Sequence, residues 1–145
     1  MHPTVFLKKL AALELSLSRD KGDLEVFGVV LREDAREEWD LSVAAPWLDS
    51  HHLECYQVVA DALRATFSPK EHRNFSRIAI RNQDSPFLED ILSMTSVEHG
   101  LYEIVNMTLS GISIRRAYII TAKRRPSQRR PSGKQRRKRD RSPAK

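Results

Sequence analysis

Apolar side chains recur through the first 122 residues and then stop. From Lys123 to Lys145 no aliphatic residue is larger than Ala144, and twelve Lys and Arg face a single acid, Asp140. A stretch of that composition cannot bury enough apolar surface to offset the entropy of ordering it, so 123–145 is expected to be a disordered Arg/Lys-rich tail. The remaining 1–122 is expected to be one compact domain, within the usual domain size of roughly 100–150 residues. The formal charge of +6 divides along the same line. The tail carries +11, whereas residues 1–122 hold 13 basic and 18 acidic residues and carry −5. The basic isoelectric point therefore belongs to the tail, and the domain itself is acidic.

Within the domain, the spacing of Val5, Leu7, Leu10, Leu13 and Leu17 predicts an amphipathic helix over 4–19, with Lys8, Lys9, Glu14 and Arg19 around the apolar stripe and a stop at Lys21-Gly22. Residues 24–32 are nearly continuously apolar, as in a strand buried on both faces. After a polar loop at 33–38, Trp39, Leu41, Val43, Ala45 and Trp47 alternate with Asp40, Ser42, Ala44 and Pro46. That period of two predicts a second strand over 39–47, pairing with the first as a hairpin and placing both tryptophans on one face. Asp49-Ser50 offers an N-cap for a helix running to Phe67. Ser68-Pro69-Lys70-Glu71 has the capping-box spacing of a further short helix. A short strand over 76–81, a helix over 86–95 begun by Ser85-Pro86, and two strands over 101–107 and 112–122 complete the order αββα(α)βαββ. The fold class is α+β, with a mixed, mostly antiparallel five-stranded sheet and helices packed on it.

Several function classes are excluded or weakened by what is missing. Only four glycines fall in the domain, too far apart for a phosphate-cradling loop, and no Gly-x-Ser-x-Gly elbow occurs. No apolar run approaches the ~20 residues of a membrane-spanning helix. Met1–Lys9 sets charge where a signal peptide would have its apolar core. A single cysteine, Cys55, rules out an internal disulfide. These features predict a cytoplasmic protein (nuclear placement being open in a eukaryote) with no membrane partner and no cofactor.

The candidate chemistry is sparse. His51-His52-x-x-Cys55, with His99, offers at most three ligands where a structural zinc site takes four, so no metal is expected. His99, preceded by Glu98, is the strongest candidate for a general acid–base residue. Asp40 is a further catalytic candidate, and with Glu33, Asp34, Glu37 and Glu38 it forms an acidic set on the first hairpin, though no Glu-x-Lys triplet follows. The same acids read more simply as a solvated loop, and the tryptophans as core.

The tail carries the clearest functional signal. Arg124, Arg125, Arg129, Arg130, Lys134, Arg136, Arg137, Lys138, Arg139 and Arg141 form a dense cationic run. Such runs attract nucleic acid, RNA or DNA, by Coulomb attraction and counterion release without reading sequence. No aromatic residue interleaves them, so base stacking by the tail is not expected. The function expected is a non-enzymatic binding or regulatory protein: an acidic domain for protein contacts and a basic tail for nucleic acid. The alternative is a small hydrolase or nuclease that uses His99 and the acids of the 33–40 hairpin.

Overall fold

The structure, a computed structural model, describes residues 3–34 and 36–125. The chain runs α1 (Pro3–Lys21), β1 (Val26–Arg32), β2 (Trp39–Ala44), α2 (Leu53–Thr66), a 3₁₀ turn (Glu71–Asn74), β3 (Phe75–Ile80), α3 (Pro86–Met94), β4 (Tyr102–Leu109) and β5 (Ile112–Ala122). The α+β class and the five-stranded mixed sheet follow the sequence expectation. Strand order in the sheet is β3-β2-β1-β5-β4. The β2–β3 pair, joined through α2, is parallel, and the other three pairs are antiparallel. No helix among the described residues is long and apolar enough to cross a membrane.

Helices cover both faces of the sheet, which is why β1 reads as a continuous apolar run. On one face Phe6, Leu10, Leu13 and Leu17 of α1 and Val59 and Leu63 of α2 pack on Phe27, Val29, Leu41 and Val43. On the other, Phe87, Leu88 and Ile91 of α3 pack on Val26, Val30, Ala44 and Ile119. Each fully buried leucine or isoleucine contributes roughly 1.5–3 kcal/mol by leaving water. Gly28 lies where β1 and β5 shift register. A Cβ there would meet the Tyr118 carbonyl oxygen at 2.6 Å and Ile119 Cδ1 at 2.8 Å. Close approach of the two backbones therefore requires glycine.

Local signals set most boundaries. Ser85 caps α3 by accepting from the Leu88 amide at 3.3 Å, with Pro86 at the first helical position. Ser68 and Glu71 exchange the two bonds of a capping box, at 2.9 and 3.2 Å, but the turn they open is 3₁₀ and lasts four residues. Ser110 (φ 48°) and Gly111 (φ 80°) close the β4–β5 hairpin with the pair of positive φ values that a two-residue I′ turn needs.

Two predictions fail for the same kind of reason: a side chain is occupied elsewhere. Helix α2 starts at Leu53, after His52, and not at the predicted Asp49-Ser50 cap. The Asp49 carboxylate accepts from the His51 amide at 2.9 Å in a local turn, while Ser50 is tied to Asn82 through its amide (3.0 Å) and its hydroxyl (2.7 Å). Strand β2 ends at Ala44, three residues before the predicted end, so the two tryptophans do not share a strand face. Trp39 packs against Phe6 and Tyr118, with ring centroids 5.8 and 5.5 Å apart. Trp47 lies in the turn beyond and donates from Nε1 to the Gly22 carbonyl at 3.0 Å. Both are half-buried against the α1–α2 core, as core packing requires.

Candidate functional site

His99 sits in the loop between α3 and β4 with its backbone at φ 52°, a left-handed conformation that is unusual for a residue with a side chain. Three contacts hold the loop on the end of β5. Val97 and Ala122 exchange backbone bonds at 3.0 and 2.7 Å, and the Gly100 amide donates to Ile120 at 2.9 Å. The His99 amide donates to Thr121 Oγ1 at 3.1 Å. That hydroxyl donates in turn to Glu14 Oε2 at 2.9 Å, and the imidazole Nδ1 meets Glu14 Oε1 at 2.7 Å. Glu14 is 1% exposed, whereas the imidazole retains 39%. The buried carboxylate thus fixes the orientation of the imidazole through Nδ1.

The sequence points to Glu98 as the carboxylate beside His99. The structure gives that place to Glu14, and Glu98 Oε2 lies 4.0 Å from Nε2. Glu98 is committed to the chain's own cations, Arg125 at 2.7 Å and Lys123 at 3.4 Å. The Arg125 hydrogen bond foremost, together with the charge of both cations, holds its carboxyl below the usual carboxylate range. Glu14 was expected on the polar side of α1. It falls four residues after Leu10 and three before Leu17, inside the apolar stripe, and that spacing is the signal that marks it as buried.

Asp40 does not join this site. It is 1% exposed, and its Oδ2 accepts from Arg32 Nε at 2.8 Å and Arg77 Nε at 3.2 Å. The bond from Arg32, more than Coulomb attraction, raises the Arg32 pKa above its ordinary value. Asp40 pairs with Val30 of β1, and Ala122, beside the His99 loop, pairs with Val26. Four residues of strand put ~13 Å between the two places. Asp40 shares strand parity with Ala44 and so faces α3, whereas Glu14 reaches the sheet from α1. The composite of His99 with the hairpin acids is therefore not formed. Glu33, Asp34, Glu37 and Glu38 are exposed, as a solvated loop requires, with Asp34 on Arg32 and Glu37 on Arg115.

His51 and His52 are exposed, and the thiol of the partly buried Cys55 donates to the Trp47 carbonyl at 3.6 Å. Among the described residues no group of three or more His, Cys, Asp and Glu could hold a metal ion.

The first residues of the basic run are fastened to the domain. Lys123 extends the sheet pattern by donating its amide to the Glu25 carbonyl at 2.8 Å. Arg124 grips Glu89 with two bonds, at 3.0 and 2.5 Å, and the Glu89 carboxyl falls to about 2, chiefly from that pairing. Arg125 is 11% exposed, donates to the Leu24 carbonyl at 2.9 Å and lies 3.7 Å from Asp23 as well as on Glu98. Of the predicted nucleic-acid contacts, Arg124 and Arg125 are thus bound to the domain's own acids. The others, Arg129 to Arg141, lie outside the described residues. Asp23, Glu89 and Glu98 are scattered along the chain, so no linear signal announced that they would meet its end. No known protein family, curated protein or solved structure matches the chain.

Proposed function

We propose that this protein binds nucleic acid, RNA or DNA, through its basic C-terminal segment, the folded domain serving for protein contacts. One observation carries the reading: residues 126–145 hold nine Lys and Arg against one acid, while 1–125 hold 16 basic and 18 acidic residues. The cations that remain after Arg124 and Arg125 are neutralised by Glu89 and Glu98 are the ones left to meet phosphates. Binding of this kind is steep in salt and indifferent to sequence. With roughly 6–9 phosphates engaged on duplex DNA, affinity falls about 10³-fold or more between 50 and 200 mM salt. Replacing Arg136, Arg137, Lys138 and Arg139 by alanine lowers the salt slope by up to about four units, equally on unrelated sequences. Fluorescence-anisotropy titrations of the full chain and of residues 1–125, at several salt concentrations, test this. Equal affinity of the two proteins would defeat the reading.

A second reading, hydrolysis with His99 as general base, is favoured by the buried Glu14 that orients the imidazole. Its test is turnover of activated esters and of an RNA oligonucleotide by the wild type and by His99→Asn. It requires turnover that the variant loses while its circular dichroism is unchanged.

A further inference from the structure

On the α3 face of the sheet, three guanidinium groups gather around one buried carboxylate. Arg32 and Arg77 share Oδ2 of Asp40 through their Nε atoms. The backbone of Arg81 continues the β3 pairing by donating to the Val43 carbonyl at 2.8 Å, which keeps its side chain on the same face as Arg77. Its guanidinium lies 4.5 Å from the centroid of the Phe87 ring. Arg81 differs from the other two: among the described residues no carboxylate lies within ion-pair distance of it, and its buried Nε has no acceptor. Burial first, then the charge of Arg77, lowers its pKa, against a smaller raising effect of the Asp40 charge.

A cation that loses part of its hydration is ordinarily matched by an anion, because burial disfavours unpaired charge. Here the protein supplies a ring on one side, a second arginine beside it and, for all three guanidinium groups, the single carboxylate of Asp40, whose Oδ1 is buried without a hydrogen-bond partner. Nor is the polar surface below saturated, since Ser42 Oγ is buried without a partner. The Phe87 ring backs the Arg81 fork, and Asp40 holds the Arg77 fork through its Nε. Two such forks on one face suit the oxygens of a tetrahedral oxyanion, which guanidinium groups bind in pairs of parallel bonds. We infer that Arg77 and Arg81 form a phosphate-binding site on the folded domain, separate from the basic C-terminal segment.

The phosphate could be free or part of a nucleic-acid backbone, and one experiment separates the two. The Nε–Hε resonance of Arg81 in the full chain is followed by NMR during titration with inorganic phosphate, and separately with an RNA 12-mer lacking terminal phosphates. Sodium chloride at matched ionic strength is the control. A saturable shift at millimolar phosphate, lost in Arg77→Met, supports the site. Saturation by the RNA at lower concentration assigns it to the nucleic-acid backbone, and a response to phosphate alone assigns it to the free anion. Arg81→Met gives a second readout, since phosphate should raise its thermal midpoint no more than chloride does. A linear shift, one matched by chloride, or one retained in Arg77→Met would overturn the inference.

Discussion

Glu14 and His99 are 85 positions apart in the chain and meet at 2.7 Å, a carboxylate in the apolar stripe of α1 receiving an imidazole from the loop before β4. Thr121 completes the contact from β5, so one buried side chain joins three elements. The pair matters to stability before any chemistry. Glu14→Ala removes both acceptors, strands the Thr121 hydroxyl and opens a cavity beside Leu13. An unfolding free energy lower by about 2–3 kcal/mol is expected in denaturant titrations. A loss under 0.5 kcal/mol would show that the contact contributes little.

The left-handed backbone of His99 yields a comparison between two truncations. His99→Ala and His99→Gly both remove the imidazole, but only alanine keeps a Cβ in a region that disfavours it. The glycine variant should be the more stable by about 0.5–1 kcal/mol, the strain relieved less the entropy of a more mobile unfolded chain. Equal stabilities would mean that the loop relaxes once the ring is gone.

Where the chain is cut near its basic run should also matter. Residues 1–122 and 1–125 should both unfold cooperatively. The shorter protein should be less stable by about 1–3 kcal/mol, because Arg125 no longer reaches Leu24 and Glu98 and the Lys123 amide no longer reaches Glu25. Urea unfolding with an unchanged slope checks this. Identical midpoints would place the end of the domain at Ala122 after all.

Acid should act through the same clamp. The Glu89 carboxyl is held at about 2 by Arg124, below its unfolded value of 4.5, and Glu98 is lowered by Arg125. Depressed carboxylate values stabilise the fold above the unfolded pKa, and that contribution is lost as pH falls from about 5 toward 2. Arg124→Ala should therefore lower the thermal midpoint by a constant amount between pH 6 and 8 and flatten its fall over the acid window, so that the two proteins converge toward pH 2. Because the pair is exposed, 150 mM salt should shrink the difference. A steeper acid dependence in the variant would contradict the assignment.

The kinds of elements were legible in the chain because their causes are local. The 3.6-residue spacing of Leu10, Leu13 and Leu17, the alternation from Trp39 to Val43, the Ser85-Pro86 start and the Ser110-Gly111 turn each express their physics within a few residues. The continuous apolar run of β1 even announced that both its faces would be covered. Partners were not legible. That Glu14 and not Glu98 would hold His99, that Asp40 would be buried under Arg32 and Arg77, and that Arg124 and Arg125 would be spent on Glu89 and Glu98 all depend on the β3-β2-β1-β5-β4 order. A charged side chain pairs with whatever the fold brings within a few ångströms, because the gain falls with distance and the desolvation cost rises with burial. Periodicity encodes which face a residue occupies, whereas the group across from it is decided only when distant segments pack.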